Sequence, residues 1–183
     1  MIQKLTKQIN GRGQWILLAL LLFCTDHGLA QDTLPNNNSI RLGFGPSYTG
    51  LNVDISYARV FGKHEVGFGG LYVLAGTLNS DDGSFGARAF WNYHPLRSAK
   101  MEANIGPSIS FLQVHIDDRT DDHYYFELYL NIGIRHHVFE RIDLGYEVGY
   151  GAVYIVLSDR FSDDRPTDFD QASTLKIFTT YKF

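Results

Sequence analysis

Apolar and polar residues alternate one for one in stretch after stretch of this chain, most plainly in Thr174 to Phe183. Leu175, Ile177, Thr179, Tyr181 and Phe183 fall on one parity, and Thr174, Lys176, Phe178, Thr180 and Lys182 on the other. Successive side chains of a β-strand point to opposite faces, so this run predicts a strand with one oily and one wet side. Its last member is an aromatic residue, and the strand is expected to be built into a larger closed structure.

The same period recurs upstream and sets seven more strands. Ile40 to Tyr48 opposes Ile40, Leu42, Phe44, Pro46 and Tyr48 to Arg41, Gly43, Gly45 and Ser47. Leu51 to Phe61 opposes Val53, Ile55 and Tyr57 to Asn52, Asp54 and Ser56. Gly62-Lys63 follows, a two-residue loop with Gly first as a type II′ hairpin prefers, which pairs Phe61 with His64. His64 to Leu74 carries Val66, Phe68 and Tyr72 against Glu65, Gly67 and Gly69; Ser84 to His94 carries Ala87, Ala89 and Trp91 against Arg88, Phe90 and Asn92. After a turn at Pro95 to Ala99, Lys100 to Val114 opposes Ala103, Ile105 and Ile109 to Glu102, Asn104 and Ser108, with its phase blurring past Leu112, where a bulge is expected. Tyr124 to Val138 opposes Leu128, Leu130 and Ile132 to Glu127, Asn131 and Arg135, and Asp143 to Leu157 opposes Tyr146, Val148 and Tyr150 to Glu147, Gly149 and Gly151. Ser158 to Gln171 reads as the longest loop.

Ahead of the strands, Lys4, Lys7 and Arg12 precede Trp15 to Cys24, an apolar run of ten residues, and a more polar stretch ending Gly28-Leu29-Ala30. These are the three parts of a secretory signal peptide over residues 1–30, with cleavage expected after Ala30. The apolar run is far below the roughly 20 residues of a spanning helix. A competing reading makes Cys24 the acylated residue of a lipoprotein, against which stands bulky Phe23. Residues 31–39 are then a polar periplasmic lead and residues 40–183 one domain. Removing 1–30 takes away the single Cys, leaving no thiol or disulfide chemistry, and leaves 13 Lys and Arg against 19 Asp and Glu. That acidic balance offers nothing to nucleic acid.

Alternation alone leaves open which face is inside. The wet face carries Arg41, Asp54, Glu65, Arg88, Glu102, Glu127, Arg135, Glu147, Lys176 and Lys182, five positive against five negative, among many glycines. Small residues and balanced charges suit a narrow lumen, where ions must be paired. The connections alternate between short turns (Gly62-Lys63, Pro95 to Ala99, Glu140 to Ile142) and mostly longer, Asp-rich loops, the pattern of periplasmic turns and outer loops. Aromatics gather at both strand ends: Phe61, Trp91, Tyr93, Phe139, Tyr181 and Phe183 at one, Tyr48, Tyr72, Phe85, Phe111, Tyr124 and Tyr154 at the other, as in two interfacial girdles. The outward exceptions, Arg59, His64 and His136, lie near the turn end. The fold class is therefore all-β: an eight-stranded antiparallel up-and-down transmembrane β-barrel in the outer membrane of a Gram-negative bacterium.

Over residues 40 to 183 the chain resembles the small outer-membrane barrels of the OmpA and OmpX type, and its Gly-rich, aromatic strands look like those of Bacteroidetes barrels. The resemblance implies that Leu175, Ile177, Tyr181 and Phe183 carry the signal read by the barrel-assembly machinery. It also implies a monomer among outer-membrane lipid and lipopolysaccharide.

The lumen charges form the best-defined constellation. A turn at Glu140 to Ile142 is expected to set Arg135 beside Glu147, with Lys176 and Arg41 on neighbouring strands of the closing seam. Eight strands leave room for little but side chains, so an ion-paired plug is favoured over a narrow or gated pore. The clusters Asp117 to Asp122 and Asp159 to Asp170 lack EF-hand spacing and are interleaved with Arg119, Arg160 and Arg165, which favours solvated loop charge over Ca²⁺ binding. Those arginines also suit lipopolysaccharide phosphates. An enzyme acting on lipid A would draw on Ser84, His115, His123 and Ser158, whose spacing forms no nucleophile, base and orienter within one strand or loop. His136 and His137 point to opposite faces and do not share one metal ion. No metal or cofactor is expected, and the role favoured is structural or adhesive.

Overall fold

The computed structural model describes residues 38–76, 84–115, 122–157 and 167–183. The expected signal peptide and nearly all of the lead lie outside these. Eight strands are present: β1 (Asn38–Ser47), β2 (Gly50–Phe61), β3 (His64–Ala75), β4 (Ser84–Arg97), β5 (Met101–His115), β6 (Asp122–Phe139), β7 (Ile142–Leu157) and β8 (Thr167–Lys182). Each pairs antiparallel with the next, and β8 returns to β1, so the sheet closes into an up-and-down barrel. Closure satisfies the backbone of every strand and leaves no edge along the wall where the seam is paired.

The turns follow from local chemistry. Phe61 faces His64 across Gly62-Lys63, and Gly62 has φ 59°, a left-handed value that a Cβ disfavours. Phe139 faces Ile142 across Glu140-Arg141. Between β4 and β5 the turn is Ser98 to Lys100, not Pro95 to Ala99. There the Met101 carbonyl accepts bonds from the Ser98 N–H (2.9 Å) and the Ser98 hydroxyl (2.9 Å). Strand β4 continues through Pro95 because the register shifts between Tyr93 and Leu96, and a bulge tolerates a residue with no N–H to donate.

Two further expectations give way. Past Leu112 there is no bulge: β5 and β6 stay in register from Met101↔His136 to His115↔Asp122. The phase blurs in sequence because Leu112 and Val114, though apolar, point inward and are buried. Strand β8 also begins seven residues before Thr174, with Asp168 and Asp170 paired to Ile155 and Val153 of β7.

Outward positions are apolar and uncovered, with Phe68, Tyr150 and Ile177 each above 60% exposed. Among the described residues, the Asp, Glu, Lys or Arg at outward parity positions of the strands are Arg59, near the turn end of β2, and Asp122, the first residue of β6 at the loop end. Inward positions are buried and predominantly polar over the turn-end half. The core of this protein is its lumen.

Candidate functional site

The lumen is filled in layers, and each layer is set by strand parity. Nearest the short turns lies a cluster of acids and bases. Glu65 on β3 is fully buried; both its oxygens accept from Arg135 Nη2 at 2.8 Å, and Asn92 Nδ2 donates to it at 3.0 Å. His94 on β4 stands between two carboxylates, Nε2 3.5 Å from Glu65 and Nδ1 3.3 Å from Glu102. His137 on β6 stands between Glu102, 3.5 Å away, and Asp143, 2.8 Å away. Lys182 Nζ reaches Asp143 at 2.8 Å, and Arg97 Nε reaches Glu102 at 3.2 Å at the mouth. Carboxylates and imidazoles thus alternate across the turn-end opening.

Above this cluster two aromatic rings lie in the lumen, each over the paired glycine of a neighbouring strand. Phe90 on β4 and Phe178 on β8 are buried, and the Arg41 guanidinium lies 3.6 Å from the Phe178 centroid and 5.2 Å from that of Phe90. Arg135 approaches Phe178 from the turn side at 5.8 Å, and Arg88 approaches Phe90 at 5.6 Å. Guanidinium planes stack favourably on aromatic faces. The rings fit because Gly67 and Gly145 face them: a Cβ at Gly67 would meet the Phe90 ring at 2.3 Å, and one at Gly145 the Phe178 ring at 2.4 Å.

A second ion network follows. Arg41 Nη2 is 2.7 Å from Glu147, and Arg88 bridges Glu147 at 2.6 Å and Asp54 at 3.4 Å. Lys176 Nζ completes the chain at 2.7 Å from Asp54. Glu127 stands apart from these cations. Its Oε1 accepts from the Ser47 hydroxyl at 3.1 Å, the Thr49 hydroxyl at 3.1 Å and the Thr49 N–H at 3.3 Å. Glu127 on β6 thereby holds the β1–β2 turn from the opposite wall.

The loop end of the lumen is apolar. Leu71, Val73, Leu112, Val114, Tyr125, Tyr129, Val153, Ile155 and Ala172 form one buried cluster with Tyr48 packed against it. Tyr48 was expected in the outer girdle. It lies instead in the β1–β2 turn, half-buried against the lumen cluster, and its N–H donates to the Tyr129 hydroxyl at 3.4 Å. On the outer wall nearby, Tyr72 packs on Phe85 at 4.8 Å and Phe111 on Phe126 at 5.0 Å.

Of the ten lumen charges named from sequence, nine are buried and Lys182 is half-buried. Partner choice differs from expectation: Arg135 pairs with Glu65 and Glu102, and Glu147 with Arg41 and Arg88. Arg135 and Glu147 are on paired strands but out of step, Arg135 facing Gly145 and Glu147 facing Gly133. Sequence reasoning missed His94, His137 and Asp143, although each continues an inward parity already assigned on its strand. With Asp143 and Arg97 included, the lumen holds six positive groups and six negative ones, of which Glu127 has no ion-pair partner among the described residues. Leu175, Ile177, Tyr181 and Phe183 are all exposed on the outer wall.

Most of the two Asp clusters lies outside the described residues; Asp168 and Asp170 accept from the next backbone N–H at 2.8 and 2.7 Å. No group of three or more His, Cys, Asp or Glu able to hold a metal ion occurs among the described residues. Ser84 on β4 and His123 on β6 are separated by β5, and Ser158 lies outside the described residues.

This architecture is that of the small outer-membrane β-barrels. The neisserial surface protein A has the same fold, with a TM-score of 0.51 at 13% identity over 80% of this chain and 96% of that one. Outer membrane protein H of P. aeruginosa matches with a TM-score of 0.55 at 12% identity over 80% of this chain and 99% of that one. No protein-family model and no curated protein matches the sequence.

Proposed function

We propose that this protein is an integral outer-membrane barrel of the OmpA/OmpX kind with a structural or adhesive role at the cell surface and a lumen sealed to solutes. Export by a cleaved leader, assembly by the barrel machinery and a monomer among lipid and lipopolysaccharide belong to the same reading. The observation that carries it is the filled lumen: two ion networks, a pair of buried aromatic rings and an apolar cluster succeed one another along the axis. The outward face supports the location, since a charge at the bilayer midplane costs about 2–4 kcal/mol and the wall carries none at mid-height.

Planar-bilayer recording of the purified protein tests the sealed lumen. The expected result is no steady conductance. A steady conductance that Glu147→Ala abolishes overturns the reading in favour of a narrow pore. Altered lipid A acylation in cells carrying the protein, read by mass spectrometry, overturns it in favour of an enzyme.

A further inference from the structure

Charge is distributed unequally along the barrel axis. The three turns at the turn end all bring exposed cations to the rim: Lys63 between β2 and β3, Arg97 at the end of β4 with Lys100 in the turn after it, and Arg141 between β6 and β7. Arg59 adds a fifth on the outer wall, its guanidinium 5.0 Å from the Phe61 ring. Glu140 is the one acid exposed on these turns. At the other end, the described strand ends carry Asp122, Asp168 and Asp170 and no Lys or Arg. Lys63, Lys100 and Arg141 form no ion pair with any described residue, so their charge is directed to whatever surrounds the rim.

That rim is built as an interface. Trp91 stacks on His64 at 5.5 Å and 16°, beside Tyr93 at 5.4 Å from the same imidazole, and Phe61, Phe139 and Tyr181 are exposed at the same level. Amphipathic rings mark the boundary between hydrocarbon and headgroups, and flexible cations just beyond them lie at phosphate depth. We infer that the turn-end rim is a binding collar for the anionic phospholipid headgroups of the leaflet it faces. Phosphate oxygens accept charge-assisted hydrogen bonds from Lys and Arg, and the cations are spread over three separate turns, which suits a ring of lipids better than one compact ligand. The acidic opposite end disfavours the reverse insertion in a bilayer with that leaflet asymmetry. This inference rests on the membrane reading above.

Trp91 supplies the test. With Trp15→Phe in the full chain, Trp91 is the sole tryptophan. The protein is reconstituted in vesicles mixing phosphatidylglycerol and phosphatidylcholine, one or the other brominated, and quenching of Trp91 reports which lipid occupies the rim. Brominated phosphatidylglycerol is expected to be favoured by roughly three- to fivefold at low salt, the effect of about one cation per lipid. The preference should fall toward unity in Lys63→Gln/Lys100→Gln/Arg141→Gln, and in the parent protein at about 1 M salt, where screening is nearly complete. It should survive in Lys63→Arg/Lys100→Arg/Arg141→Lys. Equal quenching by both lipids in the parent protein at low salt overturns the collar while leaving the bilayer location standing. Absence of quenching by either lipid overturns the bilayer location, and the collar with it.

Discussion

The two halves of the lumen are packed by different rules. The turn-end half is held by charges that tie strands together through the lumen, as Arg41 on β1 and Arg88 on β4 converge on Glu147 of β7. The loop-end half is held by aliphatic and aromatic side chains such as Leu112, Val153 and Tyr125, packed as in a soluble protein's core. A buried charge depends on its particular counter-charge, because an ion left alone in the interior carries several kcal/mol of uncompensated desolvation. A buried methyl group depends on volume and tolerates a neighbour of similar size. The first half should therefore be brittle toward chemistry and the second toward volume.

The largest effect is expected from Glu147→Gln, which preserves shape but removes the charge between Arg41 and Arg88. A loss of about 3–5 kcal/mol is expected in chemical unfolding from lipid vesicles. A loss below about 1 kcal/mol, the scale of an exposed pair, would show that the charged half is not brittle. In the apolar half, Leu112→Ala should cost about 3 kcal/mol through lost burial and a residual cavity. Leu112→Met should cost less than about 1.5 kcal/mol. The contrast fails if the methionine variant is as unstable as the alanine one.

Between the halves, volume matters inside the charged region too. Gly67→Ala sets a methyl group against the Phe90 ring, with the nearest ring carbons 2.3 and 2.5 Å from the new atom. Overpacking of this kind costs about 1–3 kcal/mol. Adding Phe90→Leu should recover part of that loss, and a double-mutant cycle measures the coupling directly. Additive losses would place the strain elsewhere than at the ring.

What was legible in the sequence follows the same division. Parity identified all eight strands and the inward set, because polar inward residues contrast with apolar outward ones at every second position. Where the lumen turns apolar the contrast vanishes: Leu71-Tyr72-Val73-Leu74 and Val153-Tyr154-Ile155-Val156 are unbroken apolar runs, so the loop-end cluster went unseen. Strand β8 was cut short because Asp168 and Asp170 look like loop residues, although pairing with the tall β7 carries them into the sheet. Ion-pair partners were illegible for a geometric reason. Parity states which face a side chain occupies, but Arg135 finds Glu65 across the lumen, three strands away, at a height set by stagger that a period of two does not encode.

The smallest effect is expected at the boundary, where Glu127 holds the β1–β2 turn. Thr49 is buried, and its hydroxyl is one of three donors to Glu127 Oε1. Thr49→Val keeps the shape and the backbone donor while removing the hydroxyl, so the carboxylate retains the Ser47 hydroxyl and the Thr49 N–H. A hydrogen bond to a charged group contributes about 1.5–3 kcal/mol when it is the sole partner, and with two donors remaining a loss near 1 kcal/mol is expected. Because the turn is only Tyr48 and Thr49, the loss should appear as local opening rather than global unfolding. Amide exchange at Tyr48 and Thr49 should quicken roughly fivefold, the equivalent of about 1 kcal/mol in a local opening equilibrium, while exchange at mid-strand positions such as Ile132 stays unchanged. If the mid-strand amides quicken equally, the turn is no separate strap, and the boundary between the two halves is continuous with the charged network rather than a joint between two packing regimes.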